Sequence, residues 1–222
     1  MTSFDRILEA ARKRVGGETE LAARMPAVSS SDELRRIADD RYLSLMSRRI
    51  FRAGLKHSLV DAKWPAFEQV FHGFNLRRIV AMSDEEIEAL MNDSRLIRHW
   101  GKIKSVRSNA AAMQRISTER GSFGAYLADW PGSETVSLWD DLAKRFQQLG
   151  GNSGPSFLRM AGKDTFILTD SVAAALDHWR SIRGPLKSKA ARAQVQAAFN
   201  EWVAATNRPL AHLSMTLALS VD

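Results

Sequence analysis

The sequence predicts an all-α protein on three observations. Apolar residues recur at three- and four-residue spacing along nearly the whole chain. Capping boxes open segments of that pattern, and glycines and prolines close them. The one β-like run, residues 164–169 (Asp-Thr-Phe-Ile-Leu-Thr), is too short and isolated to argue a sheet, and it reads as a buried connector. With 222 residues and 45% apolar content the chain can bury a full core. The expectation is a compact helical domain over residues 1–222, built as two lobes.

Phe4, Ile7, Leu8 and Ala11 define a first helix that stops at Gly16-Gly17. Ser30 and Glu33 have capping-box spacing ahead of a short helix. Arg41 to Ala53 carries Leu45, Met46, Ile50 and Phe51 and ends at Gly54, a left-handed cap. Trp64-Pro65 opens the next helix, with proline at its favoured first position, and that helix stops near Gly73. Ser83 and Glu86 form a second capping box. Lys102 to Ile116 is a long helix, and Phe123 to Trp130 a short one closed by Pro131-Gly132. Ser137 caps 138–149, the glycine-rich turn Gly150-Gly151-Asn152-Ser153-Gly154 follows, and Pro155 to Ala161 is helical again. Asp170 sits where another helix starts; Lys187–Ala205 and Leu210–Leu219 complete the chain, separated by Pro209.

Charge is distributed unevenly. Lys and Arg number 32 against 25 Asp and Glu, a formal +7. From Ser94 to Thr118 there is no acid, and Arg95, Arg98, Lys102, Lys104, Arg107 and Arg115 lie there. A second acid-free stretch, His178 to Asn200, holds Arg180, Arg183, Lys187, Lys189 and Arg192. Clustered cations bind a phosphate backbone by releasing its counterions. The same pattern also fits a solvated helix face. The absence of cysteine rules out disulfides, thiolate catalysis and Cys-ligated zinc. The histidines His57, His72, His99, His178 and His212 show no ligand spacing, so no metal is expected. Met1–Arg6 has no long apolar run after a basic start, so no secretory signal is expected, and no stretch approaches the ~18 apolar residues of a membrane span.

Glycines in the 150–154 turn allow tight bending and close approach to a ligand. The following helix start, with Ser156 in its first turn, offers N–H groups and a positive dipole end to a phosphate. A plain helical hairpin is the alternative. Asp170, beyond the apolar run Phe166-Ile167-Leu168, reads by itself first as an N-cap and second as a fixed carboxylate at a helix start.

A hairpin followed by an aspartate at a helix start is similar to the helix-hairpin-helix DNA glycosylases of base excision repair, with the motif at about residues 138–162. Ala53-Gly54-Leu55, Phe71-His72-Gly73-Phe74, Ile97-Arg98-His99-Trp100-Gly101-Lys102-Ile103 and Asn109-Ala110 resemble the DNA-3-methyladenine glycosylase I family in particular. The resemblance covers about residues 42–180. It implies double-stranded DNA with a damaged base as partner, with no obligate protein partner and no cofactor. It implies a cytoplasmic, nucleoid-associated location. The hairpin Gly150–Gly154 with Ser156, Arg98 and Lys102 would grip DNA, and Asp170 would serve catalysis. Tyr42, Arg49, Phe51, His57, Trp64 and Trp100 would surround the base.

Two departures stand out. The family's zinc site uses cysteines that this chain lacks. The family's base-recognising Glu, in the helix before Ala-Gly-Leu, is matched here by Arg49, and His57 replaces the aromatic that stacks on the base. Bifunctional relatives attack the sugar with a hairpin Lys; residues 150–157 contain none, which implies a monofunctional hydrolase. The leading expectation is a DNA N-glycosylase acting on a damaged, alkylated purine. The alternatives are a DNA-binding relative without this chemistry and an all-α interaction module.

Overall fold

The computed structural model describes residues 3–179, 182, 186 and 188–221. The described residues contain helices and no strand. In chain order these are α1 (Phe4–Val15), α2 (Glu18–Ala23), α3 (Ser31–Arg36), α4 (Asp39–Arg52), α5 (His57–Val70), α6 (Leu76–Ala81), α7 (Asp84–Ala89), α8 (Trp100–Arg120), α9 (Phe123–Asp129), α10 (Thr135–Arg145), α11 (Ser153–Met160), α12 (Asp170–His178), α13 (Lys189–Thr206) and α14 (Leu210–Leu219). Two compact units are present: Met1–Ser29 with Pro131–Leu138 and Gly162–Asp222, and Ser30–Trp130 with Trp139–Ala161.

The first unit is built on α1, α2 and α12–α14. The apolar stripe of α1 buries Phe4, Ile7, Leu8 and Ala11, and the helix ends at Gly16 with φ 99°. Phe166 of the connector stacks on Phe199 with ring centroids 4.2 Å apart, and Phe4 and Trp202 meet at 5.5 Å. The connector is a buried non-helical segment, as its composition suggests. Its Asp164 carboxylate accepts the N–H groups of Leu210 (2.9 Å) and Ala211 (2.8 Å). It therefore caps α14 from a distance, where the N-cap residue Pro209 makes no side-chain cap bond. Ser214 of α14 holds the Ile167 N–H at 3.2 Å.

The second unit contains α3–α9, the later part of α10, and α11. Both capping boxes form as spaced, at Ser30/Glu33 and Ser83/Glu86. Trp64 stacks on Phe67 (4.9 Å) and Phe74 (5.5 Å), and Phe51 meets Phe67 edge-on at 4.6 Å. Tyr42 and Phe123 join a second aromatic group with Phe146 and Phe157.

The starts of α5, α10 and α11 differ from the sequence expectation in the residues that open them. α5 begins at His57, and Pro65 lies inside it. Burying Val60, Trp64 and Phe67 contributes about 1.5–3 kcal/mol each, enough to offset the roughly 3 kcal/mol cost of an internal proline. α10 starts at Thr135, so Ser137 lies within its first turn and donates to the Glu134 carbonyl instead of capping. α11 starts at Ser153, which takes Gly154 and Pro155 into the helix.

A candidate DNA-contacting hairpin and a free carboxylate

The hairpin is closed by its own backbone. Ser153 N–H donates to Gly150 O (3.2 Å), Gly154 N–H to Leu149 O (3.2 Å) and Ser156 N–H to Asn152 O (3.1 Å). The N–H groups expected to face a phosphate at the start of α11 are thus engaged inside the turn, and Pro155 has none. The open backbone lies one step earlier. Gly150 and Gly151 are exposed, their N–H groups make no hydrogen bond among the described residues, and a Cβ at either would meet nothing within 4 Å. Gly151 has φ 57°, in the region that favours glycine. Gly154 is buried, with a Cβ position 3.1 Å from Leu149 O, so it serves packing.

The turn is anchored from α8. Asn109, 1% exposed, donates to Gln147 O at 3.1 Å and accepts from Gln147 N at 2.8 Å. The sequence contains this residue in its family-like string but gives no sign of this task.

Asp170 is the first residue of α12 and does not cap it. Thr169 does, accepting the Val172 N–H at 3.2 Å. The Asp170 carboxylate is exposed and makes no hydrogen bond or ion pair among the described residues. Two cap-competent residues in succession, Thr169-Asp170, are the signal that could have separated the two roles from sequence.

Towards its C-terminal end α4 carries Arg48, and then Arg49 and Arg52 in its last turn. Asp61 takes two of them, with Arg48 Nη2 at 2.9 Å and Arg52 Nη2 at 2.6 Å from its oxygens. Those bonds, Arg52's first, hold its carboxyl below the usual carboxylate range. Arg49 is half-buried and has no hydrogen bond or carboxylate partner among the described residues. Burial, and then the charge of Arg52, lower its pKa. Lys102, 8% exposed, donates to the carbonyls of Phe51 (3.3 Å) and Ala53 (2.6 Å). It ties α8 to the C-terminal end of α4 and is not directed at solvent, where a DNA phosphate would lie. Burial, and then the charge of Arg49, depress its pKa.

The other predicted residues divide between core and surface. Tyr42 and Phe51 are fully buried; the Tyr42 hydroxyl donates to Leu34 O at 2.7 Å. Trp64 is buried and donates to Ser44 Oγ at 3.1 Å. Their burial gives all three a packing role. His57 is exposed at the start of α5. Trp100 is 40% exposed at the start of α8, with Lys104 Nζ 5.8 Å from its ring, and Arg98 is exposed beside it. In the first acid-free stretch, Arg95 pairs with Asp93 and Arg107 with Asp84, whose carboxylate also feels the charge of exposed Lys104; Arg98 and Arg115 are exposed without an acid partner among the described residues. In the second, Arg180, Arg183 and Lys187 lie outside the described residues. Among the described residues no group of three His, Asp or Glu could hold a metal, and no helix is long and apolar enough to cross a membrane.

Helices arranged in this way define the fold of the helical DNA glycosylases. An 8-oxoguanine glycosylase/lyase of Methanocaldococcus jannaschii, solved with DNA containing 8-oxoguanine, superposes with TM-score 0.57 at 10% identity over 95% of this chain and 94% of that one. A 3-methyladenine DNA glycosylase I of Staphylococcus aureus superposes with TM-score 0.52 at 20% identity over 69% of this chain and 91% of its own. The methyladenine glycosylase family model matches residues 35–148, and the chain belongs to that family. DNA-3-methyladenine glycosylase 1 of Escherichia coli is 38% identical over 61 residues, 28% of this chain and 33% of that protein. The alignment thus spans a third of the relative's length. The family match ends before the Gly150 turn and Asp170, whose roles rest on their own geometry.

Proposed function

We propose that this protein is a DNA N-glycosylase of base excision repair, hydrolysing the N-glycosidic bond of a damaged purine after flipping the nucleotide out of the duplex. The observation that carries the reading is the division of tasks at the start of α12. Thr169 supplies the cap, which leaves the Asp170 carboxylate exposed, unpaired and fixed on a helix.

The C1′–N bond is inaccessible in stacked DNA, so the target nucleotide must be extruded, at a cost of a few kcal/mol. Gly150 and Gly151 would let the phosphate backbone approach closely, and Arg98 and Lys104 would add counter-charge. Trp100 is the exposed aromatic suited to stacking on an unstacked base. As the base leaves, positive charge grows on the sugar. Asp170 would stabilise that charge and orient the attacking water. No Lys lies in residues 150–157 to attack the sugar as an amine, so hydrolysis by water is the route. Double-stranded DNA is the proposed partner, and the cytoplasm, at the nucleoid, the place of action.

A panel of duplexes carrying different damaged purines tests the reading. Purified protein should release free base from at least one of them. Asp170→Asn should abolish release and keep duplex binding; full activity in that variant would remove Asp170 from the mechanism.

A further inference from the structure

We propose that Trp100, with Arg98 and Lys104, is a stacking platform for a nucleotide that is already unpaired, so that the preferred DNA is a duplex carrying an unpaired nucleotide and not a fully paired one. The inference deepens the glycosylase reading, on which it rests for DNA as the partner.

The exposure of one ring carries the proposal. All ten phenylalanines and both tyrosines are buried. Of the six tryptophans, Trp64, Trp139 and Trp202 are buried, Trp130 and Trp179 are partly so, and Trp100 alone is exposed. Its surroundings are cationic. Lys104 Nζ, one turn along α8, lies 5.8 Å from the ring centroid. Arg98 is exposed two residues earlier, with no acid partner among the described residues. An apolar protein surface laid on the ring would have to desolvate these charges without pairing them. A nucleotide satisfies both parts, its base meeting the indole and its phosphate the cations.

The platform borders the glycine turn within the same unit. A Cβ at Gly101 would lie 3.9 Å from the Gln148 amide nitrogen, so the Gln148 side chain reaches the first turn of α8. Gln148 stands two residues before Gly150, whose backbone is open to a phosphate. The start of α8 itself is not an anion site in this proposal. Its Lys102 N–H is already taken by the His99 ring at 3.3 Å.

Magnitudes decide which DNA the platform favours. One base stacked on an aromatic ring strengthens binding by roughly ten- to a hundredfold. Drawing a base out of an intact stack costs a comparable amount. In a paired duplex the two effects cancel. At a nucleotide that is already unpaired the gain remains. Every base has a π-face, so the discrimination is by pairing state and not by base identity.

The experiment measures affinity for three undamaged probes: a paired duplex, the same duplex with one extra unpaired 2-aminopurine nucleotide, and the same duplex with an extra abasic nucleotide. The abasic probe keeps the added phosphate and the flexibility but removes the base. The wild type should bind the 2-aminopurine probe at least about tenfold more tightly than either other probe, and quench its fluorescence. Trp100→Ala should erase that preference, and Trp100→Phe, which keeps an aromatic face, should retain part of it. Arg98→Gln should weaken all three probes alike and lower the salt dependence. Circular dichroism establishes that each variant is folded. Equal affinity of the wild type for the three probes, or a preference that survives Trp100→Ala, would overturn the proposal. So would equal losses in Trp100→Phe and Trp100→Ala. These probes carry no lesion, so the two readings fail separately. No release from the panel of damaged duplexes would sink the glycosylase reading, whereas the absence of a Trp100-dependent preference sinks the platform alone.

Discussion

The carboxamide of Asn109, a residue 1% exposed, and the backbone of Gln147 face each other through two hydrogen bonds, 3.1 Å and 2.8 Å. One buried side chain on α8 thereby fixes the strand of loop that enters the glycine turn, directly before Gln148 adopts φ 66°. Asn109→Ala removes both bonds and leaves the Gln147 N–H and C=O without partners. The expected cost is about 1–3 kcal/mol in urea unfolding. Duplex affinity should fall further than folding alone explains, measured below the unfolding transition.

Gly124 of α9 lies against α3. A Cβ there would overlap Leu34 O, the same carbonyl that accepts from Tyr42. Gly124→Ala is therefore expected to destabilise by about 1–3 kcal/mol, although alanine is the better helix former. A chemical denaturation curve measures it; a neutral result would mean that α3 and α9 can separate freely.

Asp61 gives a pH dependence. Its folded pKa lies below the unfolded value, so its bonds to Arg52 and Arg48 stabilise the fold above about pH 3.9 and are lost as pH falls through the lower folded pKa. The difference in Tm between wild type and Asp61→Asn should be constant near neutrality and shrink in acid. A difference that grows below pH 4 would contradict the assignment.

Thr169→Ala should lower stability by about 1 kcal/mol through loss of the cap. Base release at a temperature where the variant is folded should drop far less than in Asp170→Asn. Equal losses would show that cap and carboxylate cannot be treated as separate functions.

Much of this architecture is legible in the residues themselves. Both capping boxes and the Gly16 stop follow from local rules, because side chains or a φ within one turn decide each. Pro65 misleads because buried Val60, Trp64 and Phe67 override a local helix breaker. The site is less legible. Lys102 sits in a basic stretch of the sequence, yet its ammonium is buried against carbonyls of residues 51 and 53. Tyr42 and Trp64 are indistinguishable from pocket aromatics in sequence and lie in the core. Such outcomes depend on which partners from elsewhere in the chain the fold brings near.

Asp164 and Ile167 are both held by α14, through Leu210, Ala211 and Ser214. Asp170 follows them by a few residues, at the start of α12. The helix α14 is thus a splint for the segment that aims the proposed catalytic carboxylate. Trimming the chain before Leu210, or fusing a bulky tag that pries this helix loose, would misalign a group forty residues upstream while touching none of its neighbours in sequence. Activity lost in such a preparation would report on the splint and not on the chemistry.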